Sequence, residues 1–209
     1  MQSFEQIRAQ VGRWSQENFS GQETPYLRVY HAGSIKQDHP RSVEDAPGDE
    51  LTCPLVIGLD GLAPLMGMVE EVGELFDADS KDNARDAIGD IAVYLCDYCY
   101  REGVGWPRTD TIPDREKLKP VRGVVVDVGK LFHCHLKRFQ RIRGFHNLLT
   151  FSAARMEAIY GLVWHLEQLA KEETSGDLLM LLNETWNSII RKRDWRTDPV
   201  GGGGHTHQE

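Results

Sequence analysis

The chain has 209 residues and a mass of 23.7 kDa, enough to bury a sizeable core in one or two domains. A net charge of −8 and a pI of about 5.5 argue against an extended nucleic-acid-binding surface. No signal peptide is visible and no apolar run approaches the ~20 residues that span a membrane, so the expectation is a cytoplasmic protein with no membrane partner.

The spacing predicts an amphipathic helix from Ser3 to Asn18, with Phe4, Ile7, Val11 and Trp14 on one face, ending near Ser20-Gly21. Residues 21–60 carry Pro25, Pro40, Pro47 and Pro54 and read as an irregular insertion or lid, with one short extended piece at Tyr26 to Tyr30. Helices follow at 62–78 and 82–102, forming a hairpin within 61–103. A Pro-punctuated connector runs from Trp106 to Pro120, and further helices are expected at 121–142, 149–172 and 177–194, with breaks at Gly144 and Gly176. The pattern is all-α, one helical domain over 1–200, with a flexible Gly- and His-bearing tail at 201–209.

The first hairpin carries the chemistry. Glu70, Glu71 and Glu74 sit in one predicted helix and Asp86 and Asp90 in the next, at steps of three and four that keep them on one side. Val69, Val72, Leu75 and Phe76 accompany the first group and Ile88, Ile91, Ala92 and Leu95 the second, so the acidic faces border apolar stripes. Crowded carboxylates beside a core repel one another and lose hydration unless a cation neutralises them. Oxygen-only donors suit Mg²⁺ or Mn²⁺.

Other residues are less specific. Cys53, Cys96, Cys99 and Cys134 form no dense framework; the Cys96-x-x-Cys99 pair lacks the second pair of a structural zinc site and reads as buried core. Cations gather at Lys130, Lys137, Arg138, Arg141 and Arg143, and again at Arg191, Lys192, Arg193 and Arg196. A di-iron carboxylate bundle is disfavoured, because none of the eight histidines has a glutamate three residues before it. A P-loop is excluded by the glycine spacing of Gly123 to Lys130 and by Leu131 after the lysine.

An internal echo adds to this. Val72-Gly-Glu-Leu-Phe76 recurs as Val128-Gly-Lys-Leu-Phe132, 56 residues on (128 − 72), which sets Glu71 against Asp127 and Glu74 against Lys130. The following helices align less closely, Asp86 to Leu95 against Glu157 to Leu166, with Gly161 at the place of Asp90. Gly73 and Gly129 suggest close backbone approach at the same place in both copies.

The Glu70-Glu71-Val-Gly-Glu74 element followed by Asp90 on a second helix resembles the all-α nucleoside triphosphate pyrophosphohydrolases, the MazG-like group, whose pattern is E-E-x-x-E and then E-x-x-D. The departure is Ala87 where that pattern has glutamate; Asp86 stands beside it. Trp14 to Phe19 and Arg191 to Trp195 look like flanking elements of the same group, and the clear match covers 62–102. The resemblance implies a helical bundle of the MazG-like type and a nucleoside triphosphate substrate cleaved to monophosphate and pyrophosphate. It also implies a homodimer, or an internal pseudo-dimer in which a degenerate second half, 120–195, packs on the first.

On that resemblance Glu71, Glu74, Asp86 and Asp90 are the expected metal ligands for Mg²⁺ or Mn²⁺, with Glu70 a ligand or a group orienting water. Lys130, Arg138, Arg191, Lys192 and Arg193 are expected to meet phosphate. Trp14, Asn18 and Phe19 are expected to stack on and hydrogen-bond the base. The alternative is a helical regulatory protein that keeps nucleotide or metal affinity with weakened catalysis.

Overall fold

The computed structural model describes residues 1–19, 61–107, 119–140, 142–145, 147–174, 176–188 and 190–192. Among the described residues there are six α-helices and no strand: α1 Phe4–Phe19, α2 Leu62–Asp77, α3 Lys81–Arg101, α4 Pro120–Gln140, α5 Leu148–Thr174 and α6 Leu178–Ser188. A single turn of 3-10 helix at Ile190–Lys192 follows α6, so the helix expected to run to 194 stops earlier. The extended piece expected at Tyr26 to Tyr30, the insertion at 21–60 and the tail lie outside the described residues.

The helix ends are set by local chemistry. Ser3 and Gln6 form a reciprocal capping box at the start of α1: Gln6 N donates to Ser3 Oγ at 3.3 Å and Ser3 N to Gln6 Oε1 at 2.8 Å. Ser80 Oγ accepts from Asn83 N at the start of α3, Asn147 Oδ1 from Leu149 N before α5, and Asp177 Oδ1 from Met180 N before α6. After α3, Gly103 takes a left-handed φ of +64°, and Val104 N returns to Cys99 O at 2.8 Å.

Helix α3 is the central element, packed by α1, α2, α5 and α6, while α4 pairs with α5 and also meets α2. One hydrophobic core therefore joins all six helices. Ile7 of α1, Leu65 and Met68 of α2, Ile88, Ile91 and Leu95 of α3, Leu131 of α4, Ile159, Leu162 and Leu166 of α5, and Trp186 of α6 are all buried in it. Cys96, Cys99 and Cys134 are buried and free, and burial pushes the thiols of Cys99 and Cys134 up to about 12 and about 11, which makes them poor nucleophiles.

Polar ties fix α1 on α3. Asp97 is buried and accepts from Ser15 Oγ at 2.7 Å and Arg101 Nε at 2.9 Å, and Trp106 N donates to Glu5 Oε1 at 2.8 Å beneath the stacked rings of Phe4 and Trp106. Among the described residues no helix is long and apolar enough to cross a membrane.

Candidate functional site

The α2–α3 hairpin is short: Ala78, Asp79 and Ser80 separate the helices, so the two acidic faces meet. Asp90 is buried at the hairpin interface and Asp86, one turn earlier, is half-buried, whereas Glu70 and Glu74 are exposed. Glu71 is 8 % exposed. Its carboxyl is pushed up to about 8, first by burial and then by the fields of Asp90, Glu74, Glu70 and Asp86. The other four carboxylates singled out from the sequence thus all act on Glu71.

The apolar surroundings are less symmetric than the sequence suggests. Ile88, Ile91, Ala92 and Leu95 are fully buried, as is Leu75 for the most part, but Phe76 is 61 % exposed and Val69 is exposed as well. The α2 face therefore opens to water on the side of Glu70 and Glu74, while the α3 face is closed. Ala87 is core, so α3 offers Asp86 and Asp90 as its acidic groups to the cluster.

The donor set fits a hard divalent cation: all oxygen, with one buried carboxyl pushed up to about 8 first by burial and then by the negative charge around it. Among the described residues, however, no three His, Cys, Asp or Glu side chains are already drawn into a metal cage. The exposed glutamates have room to turn, and ligation requires that they do so.

Helix α6 lies against α3 beside this cluster. A Cβ on Gly89 would stand 2.1 Å from Thr185 Oγ1, and Arg85 is paired with Glu184 across the same contact. The 3-10 turn that follows places Arg191 and Lys192 on the surface, whereas Arg193 lies outside the described residues.

Two glycine contacts of the α4–α5 pair fall at the echo offsets from those of the α2–α3 pair. Gly67 of α2 abuts the ring of Tyr94, where a Cβ would stand 2.4 Å away, and Gly123 of α4 abuts the ring of His165, at 2.1 Å. These contacts obey the echo offsets: Gly123 is 56 residues beyond Gly67 (123 − 67), and His165 is 71 beyond Tyr94 (165 − 94), as Glu157 is beyond Asp86 (157 − 86). Buried positions coincide too, Met68 with Val124, Ile88 with Ile159, Ile91 with Leu162 and Leu95 with Leu166. Gly73 and Gly129 are a correction. A Cβ at either would meet nothing within 4 Å, so the close approach lies six residues earlier (73 − 67 and 129 − 123), at Gly67 and Gly123.

What differs is the charge. Asp127, the counterpart of Glu71, is 1 % exposed, accepts from Lys130 Nζ at 2.7 Å on one oxygen and from His165 Nδ1 at 3.0 Å on the other. Lys130 was expected to meet phosphate, but its nearest anion is this carboxylate. His165 was not singled out from the sequence, although the echo as aligned already sets it opposite Tyr94.

The remaining candidates are scattered. Arg138 is buried against Phe151 near the end of α4, in the neighbourhood of Glu102, the residue that closes α3. Glu102 is twelve residues from Asp90 (102 − 90), about 18 Å at a helical rise of ~1.5 Å per residue, so the structure does not bring Arg138 to the acidic cluster. Trp14 is half-buried with its ring edge-on to Trp186 and so serves the α1–α6 contact, while Asn18 is buried with Nδ2 donating within α1 to Trp14 O at 2.9 Å. The Phe19 side chain lies outside the described residues.

No protein-family model, curated protein or solved structure matches the chain.

Proposed function

We propose that the protein is a metal-dependent nucleoside triphosphate pyrophosphohydrolase that releases nucleoside monophosphate and pyrophosphate. The observation that carries this reading is Glu71, a carboxyl buried among four others and pushed up to about 8. Such a cluster is costly for a helical protein to keep for structure alone, because charged faces are cheaper in water. It becomes favourable when a divalent cation occupies it.

In this reading Glu71, Glu74, Asp86 and Asp90 hold Mg²⁺ or Mn²⁺, and Glu70 orients water at the exposed edge. When bound, the cation supplies Lewis-acid polarisation of phosphate oxygens and acidification of water. The chain's own groups do the rest. A carboxylate of the cluster accepts a proton from the attacking water as its oxygen bonds to the α-phosphorus. The bond from that phosphorus to the bridging oxygen breaks, and pyrophosphate leaves with the electron pair. Arg191 and Lys192, exposed after α6, are the cations of the described chain best placed by connectivity to meet the leaving group, since α6 packs on α3 at Gly89, next to Asp90.

The repeated glycine contacts favour an internal pseudo-dimer. Its second half has replaced the metal with Lys130 and His165 on Asp127, which leaves one metal-bearing hairpin per chain.

The experiment is incubation of the purified chain with each nucleoside triphosphate and Mg²⁺ or Mn²⁺, with separation of the products. Pyrophosphate and monophosphate, lost in Glu74→Ala, are expected. Orthophosphate release, or turnover indifferent to Glu74→Ala, would overturn the assignment. The absence of a ready-made cage among the described carboxylates favours one second reading, a regulatory protein that binds nucleotide or metal without turnover. Metal-dependent nucleotide binding with no product is its signature.

A further inference from the structure

A second concentration of charge lies where the end of α3 meets α4 and α5. Glu102 is buried and paired with Arg155 of α5. The Arg155 guanidinium carbon lies 5.0 Å from the centroid of the Phe151 ring, and that of Arg138, from α4, lies 4.4 Å from the same centroid. His135 meets Phe151 edge-on at 5.3 Å, and its Nε2 is 2.8 Å from Tyr98 Oη.

The two arginines are 7 % and 9 % exposed, yet among the described residues one buried carboxylate, Glu102, faces them. Arg138 Nη1 and Arg155 Nε are both shielded from solvent without a hydrogen-bond acceptor among the described residues. Arginine keeps its proton under any ordinary condition, so burial cannot be relieved by neutralising it. Stacking on Phe151 compensates part of the charge and leaves the in-plane N–H groups unanswered. A group with in-plane acceptors completes such a pair; planar donor forks match phosphate and carboxylate oxygens.

We propose that Arg138 and Arg155, gathered on Phe151, form an oxyanion-binding site for a phosphate-sized anion at the opposite end of α3 from the acidic cluster. Glu102 fixes Arg155 in place, and Arg138 brings the unmatched positive charge. The separation along α3 makes this a site for a separate anion rather than for the phosphates of a nucleotide held at Glu71.

The test uses the full chain with chelator present, so that no divalent cation recruits phosphate to the acidic cluster. Inorganic phosphate is titrated at constant ionic strength against sodium chloride, with thermal melting and calorimetric titration as readouts, and acetate is run in a parallel arm. The expected result is a saturable rise in melting temperature with phosphate or acetate that chloride does not give. Arg138→Lys, which keeps the charge and loses the fork, should bind about tenfold more weakly. Arg138→Gln should lose the response. Should Arg138→Gln fold poorly, Arg138→Lys measured in its folded state by calorimetry decides. No rise with either anion in the natural chain, or undiminished binding in Arg138→Lys and Arg138→Gln, would overturn the proposal and leave the assignment of the acidic cluster untouched.

Discussion

Lys130 Nζ lies 2.7 Å from Asp127 Oδ1, at the place in the second hairpin where the first sets Glu74 beside Glu71. The same helical step, i to i+3, thus carries an attraction in one copy and a repulsion in the other. Removing the second member should have opposite effects on the metal-free protein. Lys130→Ala removes one of the cationic partners of a buried aspartate and should cost about 2 kcal/mol, less than for a fully buried pair because Lys130 is 43 % exposed. Glu74→Ala relieves Glu71 and should raise stability by a few tenths of a kcal/mol. Urea unfolding with chelator present checks both; a loss of stability in both variants would mean that Glu74 supports the hairpin in some other way.

The raised Glu71 carboxyl predicts a pH dependence of definite sign. Its folded value of about 8 lies above the ordinary 4.5, so the folded chain holds the proton more tightly than the unfolded chain. The associated stability is fully present below about pH 4.5, declines as the pH climbs, and is gone once the pH passes about 8. Glu71→Gln keeps the neutral shape and should flatten this decline. Melting temperatures of the two metal-free proteins from pH 5 to 9 give the answer, and parallel curves would show that Glu71 ionises freely. Saturating Mn²⁺ should reverse the trend in the natural chain, because ligation favours the carboxylate.

The 3.6-residue period placed the first five helices to within two residues at each end, since each buries an apolar stripe, while the sixth stops at Ser188 rather than 194; α3 and α6 start on the caps Ser80 and Asp177, and α2 starts after Gly61 without a side-chain cap. The acidic cluster was legible for a related reason: its members lie a turn apart on two helices joined by three residues. The Arg138 and Arg155 cluster left no such trace. Phe151 and Arg155 lie a turn apart on α5, but Glu102 and Arg138 come from the ends of α3 and α4, and only tertiary packing brings them to that turn. Phe76 misled because a helical stripe wide enough to include it runs past the edge of the actual contact, leaving the ring in water.

Asp86 and Ala87 separate two ways of completing the site. Asp86 contributes to the field at Glu71, whereas Ala87 is packed in the core at 1 % exposure. Asp86→Ala should therefore weaken Mn²⁺ binding about tenfold, without loss of fold, as removal of one ligand or near-ligand carboxylate commonly does. Ala87→Glu, which restores the spacing of the resembled motif, should instead force a carboxylate into the core and destabilise the chain by several kcal/mol. Calorimetric Mn²⁺ titration alongside thermal melting checks the pair. Tighter metal binding in a stable Ala87→Glu protein would show that position 87 turns toward the cluster.

Four glycines test whether the two hairpins share one packing. At Gly73 and Gly129 a Cβ meets nothing within 4 Å, so alanine there should only improve helix propensity, raising stability by about 0.5–1 kcal/mol at each. At Gly67 and Gly123 a Cβ would stand 2.4 Å and 2.1 Å from the rings of Tyr94 and His165. Alanine should push α2 from α3 and α4 from α5, costing about 1–3 kcal/mol in each case. The two losses differ in one respect. Gly123→Ala displaces the ring that donates to Asp127, so it should also weaken the Asp127–His165 contact and shift the His165 ring resonances in proton NMR. Pairing Gly67→Ala with Tyr94→Ala, and Gly123→Ala with His165→Ala, should restore part of the lost stability in both hairpins through removal of the clash. Recovery in one hairpin alone would mean that the matching offsets of 56 and 71 residues do not correspond to a common packing.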